Sequence, residues 1–209
     1  MQRWLLVRHG PTAHSQTGAY AGWSDVPLSA PGREVAQRLA RRLAAVPIAL
    51  AYSSDLSRAG QTLDLLLESH NPRPPVRPDA DLRELHFGAW EGLSYAAIGA
   101  RPEGPAVLAG ERAAPGGESL ADLAARLERF SARLRQESPP MTEGAVLVVS
   151  HGGPLRVLFC QLLGLPPSKH WAFQIDHASL SEVRWDPHSG PLVVALNDRC
   201  HLDPEGSAG

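Results

Sequence analysis

Residues 4–10 of the chain read Trp4-Leu5-Leu6-Val7-Arg8-His9-Gly10. Four consecutive apolar residues are typical of a short strand that is buried on both faces of a sheet. The same arrangement returns far along the chain, in Ala145-Val146-Leu147-Val148-Val149-Ser150-His151-Gly152-Gly153. Each stretch therefore predicts a buried strand with a histidine and a glycine at or just beyond its end.

Helical periodicity follows each predicted strand. Ser29 is the expected cap of a helix that runs to about residue 44, with Pro31 in its first turn. A third apolar run, Ile48 to Tyr52, precedes a predicted helix over residues 56–68. Another helix is expected from Pro154 to Leu163.

The most regular helix pattern begins at Ser119, which forms a capping-box pattern with Asp122 and precedes an apolar stripe from Leu120 to Leu134. Two further strands are expected near residues 180–185 and 192–196. Alternating strands and helices predict an α/β fold: a three-layer α/β/α sandwich with a mainly parallel central sheet.

A chain of 209 residues is expected to form one domain. We predict a single domain over residues 1–202 and a flexible tail over 203–209. Residues 10–28 and 70–81 are predicted to be loops. The glycine-rich stretch 85–117 lacks clear elements and is predicted to be an insertion over the active site.

The composition excludes several classes of protein. Lys+Arg is 20 against Asp+Glu 22, a net charge of −2, so neither a nucleic-acid partner nor a membrane surface is expected. Lys169 is the only lysine, so an anion site here would have to use arginine. No Walker A loop and no apolar span of bilayer length is present. Two widely spaced cysteines and the lack of a signal peptide predict a cytoplasmic protein.

Ligands of parallel α/β sheets bind beyond the carboxyl ends of the strands. At that edge the sequence places Arg8 and His9, then Arg58 in the first turn of a helix, and finally His151. Two arginines and two histidines suit a phosphate group, although a sulfate or carboxylate site would have the same composition. The glycines after the histidines, Gly10 and Gly152, would let the main chain approach the ligand and would offer it free N–H groups.

Cleavage of a phosphomonoester requires a nucleophile, charge stabilisation and a proton for the leaving alkoxide. A neutral imidazole can attack phosphorus, and nearby arginines favour the neutral ring. Glu84, at the entrance to the insertion, is the expected proton donor, because a bound phosphate dianion would favour its protonated form.

The chain resembles the histidine phosphatase superfamily, which includes the cofactor-dependent phosphoglycerate mutases. The resemblance is carried, in order along the chain, by Leu6-Val7-Arg8-His9-Gly10-Pro11-Thr12, Gly22-Trp23-Ser24-Asp25-Val26-Pro27-Leu28-Ser29, Ser53-Ser54-Asp55-Leu56-Ser57-Arg58-Ala59, Leu82-Arg83-Glu84-Leu85-His86-Phe87-Gly88-Ala89-Trp90-Glu91-Gly92 and Val148-Val149-Ser150-His151-Gly152-Gly153.

The resemblance implies that His9 is the nucleophile and Glu84 the acid and base. It also implies that Arg8, Arg58 and His151 bind phosphate. Where many relatives carry an asparagine phosphate ligand, this chain has Ser15 followed by Gln16. Either could donate a hydrogen bond to the substrate, and Gly22 is a further expected contact.

Three functions follow from these observations. The first is a metal-independent phosphomonoesterase without cofactor, acting on a small phosphorylated metabolite. Residues 90–95, 115–119 and 196–202 resemble the α-ribazole phosphatase branch, so α-ribazole 5′-phosphate is one candidate substrate; sugar and glycerate phosphates are others. The second is a phosphoglycerate mutase, which is disfavoured because residues 93–117 hold only Arg101 and Arg112 as cations. The third is a non-catalytic phosphate-binding protein.

The remaining histidines are expected on the surface or in satisfied hydrogen bonds, and their spacing predicts no metal site. They are His14, His70, His86, His170, His177, His188 and His201. Trp23, Trp90 and Tyr20 are expected to pack, and Glu118 to complement a helix dipole. Whether the chain forms a homodimer is left open.

Overall fold

The structure is a computed structural model that describes residues 1–202, except for the side chain of Gln16. The tail predicted over residues 203–209 lies outside the described residues. Six strands form one sheet in the order β3-β2-β4-β1-β5-β6. They are β1 (Gln2–Arg8), β2 (Ile48–Ser53), β3 (Val76–Pro78), β4 (Ala145–Ser150), β5 (Leu180–Asp186) and β6 (Gly190–Asp198).

The first four strands in that order are parallel, β5 pairs antiparallel with β1, and the edge strand β6 pairs antiparallel with β5. Seven α-helices accompany them within the described residues. They are α1 (Ala13–Thr17), α2 (Ala30–Leu43), α3 (Ser57–Leu67), α4 (Tyr95–Gly99), α5 (Gly104–Leu108), α6 (Leu120–Glu137) and α7 (Gly152–Leu162). None of the described helices is long and apolar enough to cross a membrane.

Alternate side chains of the buried strands build two cores, as period-two strand geometry requires. Leu5 and Val7 of β1 face a core shared with α2 and α3. Trp4 and Leu6 face the other core, which contains the apolar stripe of α6 and much of α7. Helices therefore cover both faces of the sheet, and the predicted three-layer, mainly parallel architecture is confirmed.

Local signals of the sequence give the helix starts. The Ser29 hydroxyl accepts a hydrogen bond from Gly32 N, and Ser119 forms the predicted capping box with Asp122. Such caps satisfy main-chain N–H groups that have no partner within the helix. The strand β1 extends two residues before Trp4 and one beyond Val7.

Three segments that were predicted without regular structure contain short elements. Helix α1 lies within 10–28, and β3 lies within 70–81. The stretch 85–117 contains α4, α5 and a 3₁₀ turn at Gly88–Trp90. These elements are three to five residues long, too short to show a periodic pattern. A small core of Trp90, Ile98, Val107 and Ala114 holds the stretch together.

Candidate active site

The two predicted strand-end histidines lie side by side. Strands β1 and β4 are direct parallel neighbours with Arg8 opposite Ser150, so the next residues, His9 and His151, meet at the carboxyl edge of the sheet. The main-chain N–H of His9 donates to Ser150 O at 2.9 Å, which extends the ladder by one residue. The two ring centroids are 4.9 Å apart at an interplanar angle of 62°.

Arg58 lies beside these rings, at the second residue of α3. The side chain is almost fully buried, with 1 % exposed. Its Nε donates to Nδ1 of His151 at 3.2 Å. Its terminal nitrogens donate to the carbonyls of Gly22 at 2.6 Å and Ser24 at 2.9 Å. The loop around residues 22–24 therefore fixes the guanidinium against His151.

Arg8 is the second guanidinium at this edge. One terminal nitrogen donates to Ile175 O at 2.7 Å, and the other contacts Nε2 of His177 at 2.9 Å. Its Nε is buried with no hydrogen-bond partner among the described residues. A Cβ at Gly152 would lie 3.3 Å from the guanidinium carbon, so a glycine leaves room for this side chain.

Hydrogen bonds give the two histidines opposite tautomers. Nδ1 of His9 lies 2.7 Å from the carbonyl of Gly10, which can only accept, so Nδ1 carries the proton and Nε2 keeps its lone pair. Nδ1 of His151 accepts from Arg58, so the neutral ring carries its proton on Nε2. That Nε2 is buried without a partner among the described residues. One ring thus offers a lone pair at Nε2, and the other offers an N–H at Nε2.

Both rings are held neutral by their surroundings. Burial, followed by electrostatic interaction with His151 and Arg58, lowers the pKa of His9 well below 6.5. Burial and the guanidinium groups of Arg58 and Arg8 do the same to the pKa of His151. Burial and Arg8 lower the pKa of His177 to about 3. Desolvation and like charge both disfavour the imidazolium form.

Glu84 reaches the site from the loop that precedes the insertion. Both carboxylate oxygens accept from the main-chain N–H of Gly153 at 3.2 Å, and Oε1 also accepts from Leu85 N at 2.9 Å. A Cβ at Gly153 would lie 2.3 Å from Oε1, so this approach requires a glycine. Since Gly153 is two residues after His151, the carboxyl group lies at the histidine-bearing edge.

One cavity of about 280 Å³ lies at this edge of the sheet, and His151 is fully buried beside His9 rather than part of its lining. Arg8, His9, Arg58 and Glu84 contribute to its polar part. Its other walls include apolar and aromatic side chains from the insertion and neighbouring helices, namely Leu85, Phe87, Tyr95, Val107, Leu108, Leu120, Leu123 and Trp171. Within residues 1–202, no group of three or more His, Cys, Asp or Glu side chains is arranged to hold a metal ion.

The other predicted substrate contacts have structural partners. The Ser15 hydroxyl donates to Thr12 O at 2.8 Å and accepts from Thr12 N at 2.7 Å, and Ser15 lines the cavity. Gly22 also lines it, and a Cβ there would lie 2.0 Å from a carboxylate oxygen of Glu91. The side chain of Gln16 is outside the described part of the chain.

The role predicted for Gly10 changes with the structure. The sequence suggested that this glycine leaves its N–H free for the ligand. Its N–H instead donates to the hydroxyl of Thr62 at 3.1 Å. A Cβ at Gly10 would lie 2.7 Å from Gly32 O, so the small residue allows the chain just after β1 to pack against the start of α2.

Sequence reasoning missed several residues of the cavity, among them His177 and Arg156. The sequence predicts that His177 lies on the surface or in satisfied hydrogen bonds outside the site, yet its ring centroid lies 5.2 Å from that of His9. It comes from the loop before β5, where Ala178 N bonds to the carbonyls of Arg8 and His9. Arg156 lines the cavity from α7, five residues after His151, and stacks on Trp171 at 4.6 Å. The only sequence signal that could have placed Arg156 at the site is this short separation from His151.

Comparison with known proteins agrees with this geometry. The family model of the histidine phosphatase superfamily (branch 1) matches residues 4–199. The chain belongs to this superfamily. The match spans β1 to the residue after β6 and includes both strand-end histidines.

Similar proteins carry different names within the superfamily. A 2,3-bisphosphoglycerate-dependent phosphoglycerate mutase 2 of Gloeobacter violaceus is 35% identical over 83% of this chain and 81% of its own length. Phosphoserine phosphatase 1 of Hydrogenobacter thermophilus is 32% identical over 97% and 95%. The crystal structure of the α-ribazole phosphatase from Shigella flexneri superposes with a TM-score of 0.84 at 32% identity, covering 95% of this chain and 97% of that one.

Proposed function

We propose that this chain is a metal-independent phosphomonoesterase that hydrolyses a small phosphorylated metabolite through a phosphohistidine at His9. The observation that carries the proposal is the tautomer of His9. Its Nδ1 proton is committed to Gly10 O, which leaves the Nε2 lone pair for attack. The ring lines the same cavity as Arg8 and Arg58, the two cations that would hold the phosphoryl group.

In the first step Nε2 of His9 attacks phosphorus and the bond to the leaving oxygen breaks. The Nε–H of Arg8 and the Nε2–H of His151, both without protein partners among the described residues, donate to the phosphoryl oxygens. Glu84 gives its proton to the leaving oxygen. In the second step Glu84 takes a proton from water, whose oxygen attacks phosphorus and releases phosphate, and the ring of His9 is regenerated.

Hydrolysis is favoured over mutase action by the placement of two arginines. Retaining a bisphosphate intermediate calls for many cations and exclusion of water. Arg101 stacks on Trp90 at 5.3 Å, and Arg112 lines a separate small cavity with Trp90 and Glu103. Neither of these two cations of the insertion lines the main cavity.

The walls of the cavity favour a leaving group with an apolar or aromatic body, which suits α-ribazole 5′-phosphate. Arg156 also lines the cavity: its Nε donates to Phe173 O at 3.0 Å, and its guanidinium stacks on Trp171. It could accept a polar or anionic substituent, as sugar and glycerate phosphates would supply.

We expect the reaction to take place in the cytoplasm on a diffusible metabolite, with no nucleic acid or membrane as partner. The net charge of −2 supports this expectation. Sedimentation would show whether the chain forms a homodimer.

The test is a phosphate-release screen over p-nitrophenyl phosphate, α-ribazole 5′-phosphate, phosphoserine, phosphoglycerates and sugar phosphates, with and without a chelator. We expect release that the chelator leaves unchanged and that His9→Ala abolishes. Loss of activity with chelator contradicts the metal-free mechanism. Conversion of 3-phosphoglycerate to its 2-isomer that outruns hydrolysis, with bisphosphate supplied, would identify a mutase.

A further inference from the structure

Arg126, in the middle of α6, is a buried cation that the proposed mechanism does not use. Only 5% of the residue is exposed. Its Nε and one terminal nitrogen donate to the two carboxylate oxygens of Glu118, each at 2.9 Å. This is a two-pronged pairing of a guanidinium with a carboxylate, the strong geometry of such pairs.

The remaining donors of Arg126 form hydrogen bonds with main-chain carbonyls of the loop that carries Glu84. One terminal nitrogen donates to the carbonyls of Asp81 at 2.7 Å and Arg83 at 2.5 Å. The other donates to the carbonyl of Glu84 itself at 2.8 Å. All five N–H groups of the guanidinium are thereby used, three of them on main-chain carbonyls within four residues.

The chain on both sides of Glu84 is fixed by the same group of contacts. The Glu84 carbonyl also accepts from Nε1 of Trp23 at 2.8 Å. Beyond it, His86 N donates to Glu118 Oε2 at 3.1 Å, and Glu118 N donates to His86 O at 2.9 Å. Arg126 and Glu118 together hold the main chain before, at and after Glu84.

A purely structural role does not account for this choice of residues. Burying a guanidinium and a carboxylate carries a large desolvation cost, and apolar residues of similar volume often stabilise a core as well or better. Three carbonyls pointing at one spot do require several donors, and arginine supplies them from a rigid plane. The arrangement fixes a short loop whose one site-lining carboxyl is Glu84.

From these contacts we infer that Arg126, paired with Glu118, is a positioning residue for the acid of the reaction. It holds the main chain of residues 81–84 so that the Glu84 carboxyl stays beside Gly153 N and within reach of the leaving oxygen. Arg126 itself does not touch the substrate. This inference rests on the proposed role of Glu84 as proton donor.

The leaving group supplies a readout that distinguishes positioning from folding. A well-placed acid matters most when the leaving oxygen is basic and little when the leaving group is a good one. We would measure kcat/KM for 2,4-dinitrophenyl, p-nitrophenyl, phenyl and ethyl phosphates. The enzymes are wild type, Arg126→Lys, the double variant Arg126→Met/Glu118→Gln, Glu84→Gln and Arg129→Met.

Arg129→Met is the matched control. Arg129 lies on the same helix and contacts the same loop, but through the side chain of Asp81 at 2.6 Å and in an exposed position. The double variant removes both buried charges, so neither is left unpaired. Arg126→Lys keeps the charge but has too few donors for every carbonyl, and it decides the question if the double variant does not fold.

The expected result for both Arg126 variants is a steeper dependence on the leaving group. The loss should be about 100-fold for ethyl phosphate and less than about threefold for 2,4-dinitrophenyl phosphate. Glu84→Gln should steepen the dependence further, and Arg129→Met should match wild type. If the Arg126 variants lose kcat/KM equally for all four substrates, or lose none, the inference is overturned while Glu84 keeps its role. A flat profile for Glu84→Gln overturns both.

Discussion

His9 and His151 occupy equivalent positions at the ends of neighbouring parallel strands, yet the chain prepares them differently. His9 bonds to the carbonyl of the residue that follows it, and this contact alone sets its tautomer. His151 instead accepts from Arg58, a residue 93 positions away. The first arrangement leaves a lone pair on Nε2, and the second leaves an N–H at the same ring position that has no hydrogen-bond partner among the described residues.

The difference shows how one residue type can supply both a free lone pair and an N–H donor in a single site. The pKa of each ring is lowered by burial and nearby cations, so charge does not separate their roles. The hydrogen bond at Nδ1 separates them. Substitutions that change one ring, or the group that fixes it, should therefore have effects of different size and kind.

The largest effect is expected for His9→Ala. Without the ring no phosphohistidine can form, and kcat for p-nitrophenyl phosphate should fall by at least about 10⁴-fold, since removing a nucleophile from a cooperating set is that costly. Phosphate binding should persist, because Arg8, Arg58 and His151 remain. Steady-state kinetics and isothermal titration with phosphate measure the two quantities. Residual turnover within about tenfold of wild type would contradict the assignment.

A smaller loss is expected for His151→Ala. Removing one preorganised donor to the phosphoryl oxygens should lower kcat about 10²- to 10³-fold while leaving the nucleophile in place. His151→Gln, which retains an N–H donor, should recover part of the loss. Equal losses in the Ala variants at positions 9 and 151 would show that the two rings are not functionally distinct.

Arg58→Lys should have a milder effect on catalysis. The charge is kept, but a lysine cannot reproduce the Nε contact to His151 together with those to Gly22 and Ser24. We expect roughly a tenfold lower kcat/KM, and ¹⁵N NMR of the histidine rings should show a mixed tautomer at His151 with His9 unchanged. An unaltered His151 tautomer would mean that Arg58 does not set it.

The smallest effect concerns stability in acid. His177 is neutral in the folded chain with a pKa of about 3 and has the ordinary value of 6.5 when unfolded. Between these two pKa values the unfolded chain binds more protons than the folded chain. The contribution of neutral His177 to the free energy of unfolding is therefore complete above pH 6.5 and is lost as pH falls toward 3. The slope is at most about 1.4 kcal/mol per pH unit for one group.

Urea unfolding between pH 6.5 and 4.5 checks this point. His177→Gln keeps an acceptor for Arg8 but cannot titrate, so its free energy of unfolding should depend less steeply on pH than that of wild type. Parallel pH profiles would show that His177 is not held neutral in the folded chain.

The sequence predicts the strands and the site groups that follow them, because short apolar runs and helix caps are local signals. His9, His151 and Arg58 meet because parallel strands end at one edge. His177 could not be found in this way. It reaches the site through pairing of Ala178 with Arg8 and His9, which lie about 170 residues away in the chain.

The insertion was harder to predict for a related reason. Helices α4 and α5 are five residues each, below one and a half turns, and their stability comes from a small core around Trp90 and Ile98. The hydrogen bonds of Ser15 could not be predicted from its position in the sequence after His9. In the folded chain the Ser15 hydroxyl forms a capping box with Thr12.

The most direct test of the account is to find where the phosphoryl group resides during turnover. Enzyme quenched within the first turnover of labelled substrate should carry acid-labile, alkali-stable phosphate on the peptide containing His9, attached to Nε2, and His9→Ala should carry none. Phosphate on the peptide of His151, attachment to Nδ1 of His9, or turnover without any labelled enzyme would contradict it.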